Sequence, residues 1–504
     1  MIPSPDRPED SADVRGKHES HTARRGRPNH TETLAAFRTT GSRGKEHTMI
    51  DETELTDLTT RAEGPVLVPG GEEYEQELSG FQTAYHHRPA VIVGARTSRD
   101  VELAVTFAIK HDLPVAVQAT GHGVTVLDEG GVLVTSRRMT GVSVDARNRT
   151  ARIESGTQWK DVVASTVPHG LAPLSGSAPH TGVVGYTLGG GIGLLGREFG
   201  YAADHVRSLD VVGADGVLRH VTPDGDPDLF WALLGGRDNF GIVTALEMEL
   251  LPVQRLYGGG IYYDAADAEA VFAHFREWTS TAPETITSSV GMIEYPPIPV
   301  FPEPLRGRHV VHVRFATTDL ESGPDMIRSW RDVATPVFEH LGELGYDEVG
   351  SIYREPDFAH SFFGNNVLLG ELDPAVLNSV LELAGRTAPV GCIVDLRHLG
   401  GAMSRPPRVP NAVPFREAQY ILRVLSAVDE DSEETVRAAH QRVYEAVAPW
   451  TVGRSLNFVY GRRTEDEFVN EVYDADTLHR LAKLKNRYDP HNVFRRNQNI
   501  RPEA

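Results

Sequence analysis

The 504-residue sequence has one cysteine, Cys392, so no disulfide can close within the chain. It has no secretory h-region and no apolar run of about 18 residues, which argues against a spanning helix and makes the cytoplasm the default location. Basic residues are in deficit. Lys plus Arg number 50 against 70 for Asp plus Glu, a net charge of −20. General nucleic-acid and anionic-membrane binders need basic surface, so both classes are excluded, and a small neutral or cationic partner is expected. Also missing are G-x-x-x-x-G-K-S/T, H-E-x-x-H and G-x-S-x-G, together with any cluster that reads as a metal site.

What is present in excess is glycine, in one place. From Gly176 to Tyr201, GSAPHTGVVGYTLGGGIGLLGREFGY, nine of twenty-six residues are glycine. A residue without Cβ lets main-chain N–H groups approach a ligand and accepts positive φ, at a cost of about 1 kcal/mol relative to alanine in a helix. The interleaved Val183, Val184, Tyr186, Leu188, Ile192, Leu194 and Leu195 mark the stretch as buried, since flexible linkers pair glycine with serine instead. Residues 1–48 are polar, mixed in charge and almost free of periodic apolar positions, and are expected to form a disordered N-terminal segment. Met49 follows directly, which makes that segment a candidate for sequence upstream of the natural start.

From Pro89 onward the pattern is regular. Ala90-Val91-Ile92-Val93 predicts a buried strand, Ser98 an N-cap, and Val101, Ala104, Val105, Ala108 and Ile109 the inner face of a helix. A strand at Pro114 to Val117 delivers the chain to the turn Thr120-Gly121-His122-Gly123, at a strand end where ligands sit in α/β folds. A strand at 150–154 and a helix at 158–166 follow, then the glycine-rich stretch. After it come a hairpin turning at Asp215-Gly216, a helix opened by Pro227 and an alternating strand at 242–250. Residues 255–429 change character: strands near 260–263, 288–294, 309–315, 392–399 and 419–427 alternate with amphipathic helices at 265–278 and 374–384. This predicts an antiparallel sheet backed by helices. The C-terminal part returns to helix and a polar end, Asn497-Gln498-Asn499-Ile500.

Several motifs occur in one order: Gly121-His122, His169-Gly170-Leu171, Gly182-Val183-Val184-Gly185-Tyr186-Thr187-Leu188-Gly189-Gly190-Gly191, Asp228-Leu229-Phe230-Trp231, Asn239-Phe240-Gly241-Ile242-Val243-Thr244, Arg487-Tyr488-Asp489-Pro490 and Asn497-Gln498-Asn499-Ile500. Over residues 65–500 this order resembles the FAD-linked oxidases related to berberine bridge enzyme, whose FAD domain is of the p-cresol methylhydroxylase or vanillyl-alcohol oxidase type. The resemblance implies an α+β fold with a two-subdomain FAD-binding domain at 60–254 and a substrate-binding domain at 255–429. Residues 430–504 would return to the FAD domain.

It further implies that His122 attaches covalently to FAD, and that Thr120, Gly121, Gly123, Val124, Gly182, Val183, Gly185, Tyr186, Gly189, Gly190, Ile242, Val243, Asn457, Asn497 and Asn499 hold the cofactor. A cysteine that anchors FAD a second time in many relatives is Ala178 here, so only a single histidyl link is expected. Where relatives carry Tyr-x-Asn this chain reads Ser455-Leu456-Asn457, which leaves the catalytic base open among Tyr186, Tyr295, Asp395, Arg397, His398, Tyr420 and Arg423. Strand alternation puts Asp395 and Arg397 on one face and His398 on the other. The resemblance also makes Val183, where relatives that react with oxygen often have a small aliphatic, compatible with an oxidase.

The implied activity is hydride transfer from a C–H bond of a small organic substrate to flavin, with O2 as electron acceptor and H2O2 as product. A natural-product intermediate is the leading substrate class and a sugar or other alcohol the second. An FAD-dependent dehydrogenase with another acceptor and a non-redox cyclase or binding protein with structural FAD are the alternatives.

Overall fold

The computed structural model describes residues 50–124, 129–429, 431–460 and 465–503. The expected disordered segment 1–48 lies outside them. Three sheets organise the described residues. In the first, Val91–Gly94 and Val115–Gln118 flank Val132–Thr135 and run parallel to it, with Val66–Leu67 antiparallel at the edge. The two strands read from sequence are therefore not neighbours, because Val132–Thr135 sits between them. Val91, Ile92, Val93, Val132, Leu133 and Val134 are fully buried, as a strand covered on both faces requires. Helix Ser98–Lys110 crosses over with Val101, Ala104, Val105 and Ala108 inward. Ser98 is its first helical residue rather than its cap. Thr97 is the cap, and the buried Asp100 carboxylate in the first turn ties the start to neighbouring chain by accepting from the N–H groups of Arg96 and Glu63.

The second sheet is antiparallel, in the order Val142–Asp145, Thr150–Glu154, Ile242–Glu249, Val206–Val212, Leu218–Val221. Together these two sheets give the two-subdomain arrangement. The third is an eight-stranded antiparallel sheet: Phe338–Gly345, Arg255–Asp264, His309–Thr317, Ile286–Glu294, Ile393–His398, Tyr420–Ala427, Phe362–Leu369, Thr451–Gly453. Phe272 and Phe275, Val376 and Leu377, and Val443 and Tyr444 pack three helices onto one face of it. Helix Glu433–Ala446 and strand Thr451–Gly453 thus pack with this sheet, although the sequence assigns 430–504 to the first domain. Among the described residues no helix is long and apolar enough to cross a membrane.

Burial also sets how the fold responds to acid. It pushes His122 and His398 down to about 3 and His87 and His440 down to about 4. An unfolded imidazole titrates near ~6.5, so below that pH the unfolded chain binds protons that the folded chain refuses. Their contribution is complete above that value and is lost progressively as pH falls toward the folded values. Melting temperatures measured from pH 7.5 to pH 4.5 should fall steadily by several degrees, and a flat profile across that interval would contradict neutral burial of these four rings.

Candidate active site

One cleft gathers most of the residues singled out from sequence. At one part of it lies the turn Thr120 to Val124, which directly follows strand Val115–Gln118. Its carbonyls are fastened from below: the N–H of Phe81 donates to Thr120 O at 2.9 Å and that of Gln82 to Gly121 O at 3.0 Å. Gly121 has φ +70, and a Cβ there would lie 2.7 Å from Gly80 Cα, so both conformation and contact require glycine. The His122 ring stacks on Phe81 with centroids 4.0 Å apart and lies 4.9 Å from His180. Nδ1 of His122 pairs with Thr120 Oγ1 at 2.9 Å, while Nε2 is buried without a hydrogen-bond partner. Burial, aided by His180 and His360, keeps the imidazole neutral at physiological pH, the form that acts as a nucleophile.

The glycine-rich stretch divides in two. Gly182 and Gly185, at and inside the short helix Val183–Leu188, line the cleft, as do Val184 and Tyr186. Gly189 and Gly190 do not: Gly189 abuts the Asn457 amide, and Gly190 faces Val413 and Tyr201. The close approach predicted there is made by the protein itself. Gly191 shows the same cause, because a Cβ would come within 2.6 Å of the Tyr186 ring. Val183 is fully buried in the hydrophobic core, so its side chain is absent from the cleft and the argument for oxygen reactivity from its size does not apply. Strand alternation explains a further split, with Val243 at the cleft and Ile242 turned into the core around helix Ser98–Lys110.

From the C-terminal part, Asn457 and Asn497 line the cleft, while Asn499 is buried outside it. Asn457 Nδ2 donates to Tyr186 O at 2.9 Å. The terminal segment is fixed by Asn239, whose Nδ2 donates to Gln498 O at 3.0 Å and whose Oδ1 accepts from Ile500 N at 2.8 Å. Behind it, the fully buried Lys485 donates to Asn239 O, Asp489 Oδ2 and Phe494 O at 2.7, 2.8 and 2.9 Å.

The eight-stranded sheet supplies the remaining wall. Arg397 and Arg423 reach the cleft, with Asp395 behind them accepting from Arg397 Nε at 2.7 Å and Arg423 Nη1 at 2.8 Å. Burial alone would raise the Asp395 carboxyl, but Arg397, Arg423 and Arg314 hold it well below the usual carboxylate range. The other candidates lie elsewhere. His398 meets Arg197 Nη1 at 2.9 Å, and the Tyr420 hydroxyl pairs with Thr279 Oγ1 at 2.8 Å. Both follow from an odd offset along the strand, one residue from Arg397 and three from Arg423, that turns them to the opposite face. Tyr295 is buried among Tyr262, Phe301 and Leu305, beyond the strand end. Tyr186 lines the cleft, but its hydroxyl is buried without a partner and burial raises it far above the ordinary phenol.

Sequence reasoning missed Glu355, Phe458 and Tyr460, all of which line this wall. Glu355 accepts from Ser177 Oγ at 2.6 Å and lies 3.7 Å from Arg397 Nη2. Phe458, at φ +64, covers the Arg423 guanidinium at 4.0 Å. Tyr460 lies three positions after Asn457, where a search for tyrosine before the asparagine does not look. Burial raises its phenol, with Arg423 and Arg397 drawing it down and Glu355 pushing it up.

Residues 89–222 match the family described as FAD binding domain, and residues 457–501 match the family described as berberine and berberine like. The chain is a berberine-like, FAD-linked oxidoreductase. It is 26% identical over 455 residues to an FAD-linked oxidoreductase of Dictyostelium discoideum, covering 89% of this chain and 97% of the relative. It is 25% identical to the (R)-6-hydroxynicotine oxidase of Paenarthrobacter nicotinovorans, covering 88% and 97%. The fold superposes with a TM-score of 0.78 on the xylooligosaccharide oxidase of Myceliophthora thermophila, at 20% identity and over 90% of this chain and all of the other. The residues of this oxidoreductase fit FAD. A Cβ on Gly185 would meet nothing within 4 Å, so the helix backbone is open to a ligand. His122 Nε2 and Asn497 Oδ1 are buried polar atoms awaiting partners. Ala178 lines the cleft, and Cys392 is packed in the helix-backed core.

Proposed function

We propose that this oxidoreductase is an oxidase that removes hydride from a C–H bond of a small organic molecule, a natural-product intermediate, and delivers the electrons to O2 as H2O2, with FAD linked to His122 alone. The observation that carries this reading is the continuity of the cleft. His122, whose Nε2 is buried and unpartnered, Gly182 and Gly185, and the sheet wall of Arg397, Arg423 and Tyr460 all line it. Relatives whose names give an oxidase activity, such as (R)-6-hydroxynicotine oxidase, support the choice of oxygen as acceptor.

When bound, FAD supplies the two-electron acceptor; the polypeptide positions the substrate and manages its proton. Among the described residues Glu355 and Asp238 are the carboxylates lining the cleft, and Glu355 is the one on the substrate-facing wall beside Arg397. It takes the heteroatom proton as the C–H bond breaks. Tyr460, a neutral phenol because burial raises it, donates a hydrogen bond to the substrate. Asn366 sets this wall, holding Ser455 O and Asn457 O through Nδ2 at 3.0 and 3.1 Å and accepting from Ser455 N at 2.8 Å.

Anaerobic mixing with substrate should bleach the flavin, and admitting air should restore the colour with stoichiometric H2O2. Reoxidation only by an added artificial acceptor would make the enzyme a dehydrogenase, and failure of any substrate in a broad panel of alcohols and amines to bleach it would favour structural FAD. Glu355→Gln should slow the bleaching step about a hundredfold, the lower part of the range for loss of a general base, without displacing the flavin.

A further inference from the structure

The sheet wall holds more positive charge than its own carboxylates balance. Antiparallel register sets Arg423 opposite Asp395 on the next strand, Arg397 two residues along Asp395's own strand, and Arg314 one strand further off, level with Arg397 across Ser289. Arg314 Nη1 lies 3.0 Å from Asp395 Oδ1, while Arg397 Nε and Arg423 Nη1 share Oδ2 at 2.7 and 2.8 Å. These side chains retain 8%, 5% and 7% of their exposure and Asp395 6%, so the cluster is nearly dry. Glu355 is the second acid within reach. Three guanidinium charges therefore face two carboxylates, and one of those two is only partly buried. His312, which accepts from Arg314 Nε at 3.0 Å, adds no negative charge.

A buried excess charge is costly unless something pairs with it. Arg314 is committed to structure, bonded to His312 and Ser289 and lying over the Tyr353 ring at 4.6 Å. Arg397 and Arg423 are the two that reach the cleft. Phe458 and Tyr353 cover their flat faces, which leaves recognition to the guanidinium edges. Arg423 Nε is itself buried with no hydrogen-bond partner. Planar edges braced by a shared aspartate suit a carboxylate, which guanidinium pairs with through parallel, charge-assisted hydrogen bonds.

We propose that Arg397 and Arg423 form a carboxylate-binding end of the substrate cleft, so that the substrate is a small molecule bearing a carboxylate, with Asp395 orienting the pair. This rests on the reading of the cleft as the substrate site. It reverses the neutral or cationic partner expected from the net charge of −20. That charge is a property of the whole surface, whereas the pocket responds to the few groups that line it.

Isothermal titration of the purified, flavin-containing protein with three matched pairs, benzoate and benzamide, phenylacetate and phenylacetamide, hexanoate and hexanamide, tests this. The carboxylate should bind about ten- to a hundredfold more tightly than its amide in at least one pair, the range expected for a charge-assisted hydrogen bond. Arg397→Met and Arg423→Met should each abolish that preference. Arg423→Lys, which keeps the charge and guards against misfolding, should retain part of it. Equal binding of acid and amide in all three pairs, or a preference undiminished in the folded Arg423→Lys and Arg423→Met proteins, would overturn the proposal. Loss of the parent reading would show separately, as absence of the visible flavin band from the wild-type protein.

Discussion

Denatured and washed free of small molecules, the wild-type polypeptide is expected to keep its yellow colour, and a His122→Ala variant to release it. Five features of the site converge on this result. The ring is held by Phe81 stacking at 4.0 Å, and its Nδ1 is occupied by Thr120 Oγ1 at 2.9 Å. Burial keeps it neutral, and the remaining nitrogen is unpartnered. A second tether has no nucleophile, because Ala178 stands at the cleft and the lone cysteine is in another core. The native variant should still bind FAD through the backbone at Gly182 and Gly185, so native and denatured flavin content must both be measured. Colour that stays with denatured His122→Ala would place the link elsewhere, and complete release from wild type would rule out covalent attachment.

Lys485→Met should cost about 3–5 kcal/mol, the usual penalty for removing one partner of a buried ion pair. The ammonium is completely buried and serves Asp489, Asn239 O and Phe494 O at once. Desolvation lowers its pKa, and Asp489 opposes that. A double variant with Asp489→Leu should not recover the loss, because Asp489 also accepts from the N–H groups of Val493 and Phe494 at 2.8 and 2.9 Å. The midpoint of urea unfolding should fall at unchanged slope. A shift worth less than about 1 kcal/mol would show that the neighbouring carbonyls and carboxylate find other partners.

Elements with a local signature were legible from sequence. Asp373 caps and Pro374 opens a helix that runs Pro374–Ala384 as expected, and Asp215-Gly216 closes the predicted hairpin. The His122 turn and the facing of Asp395 with Arg397 followed from strand ends and alternation. What escaped depended on partners distant in sequence. Phe362–Leu369 contains Gly364-Asn365-Asn366, which reads as a turn, yet all eight residues are buried and Asn366 carries the cleft loop near Asn457. Phe338–Gly345 pairs along one side only, with Arg255–Asp264, and alternates weakly because it is half-exposed. Glu355 and Tyr460 sit in irregular segments with no periodicity to expose them. Gly189 and Gly190 misled for the converse reason, since glycine reports a close approach without saying whether ligand or protein makes it.

The Asn239 clamp on Gln498 and Ile500 also has a consequence in time. A ribosome delivers Thr120 to Val124 long before Asn497 and Gln498, yet both stretches line one cleft, and Val115 N hydrogen-bonds to Val493 O at 2.9 Å. Until residues 485–500 have emerged, the nascent protein has a cofactor floor without its closing wall. Flavin incorporation is therefore expected to follow the emergence of residues 485–500, and ribosome-bound intermediates arrested before Asn497 should remain colourless.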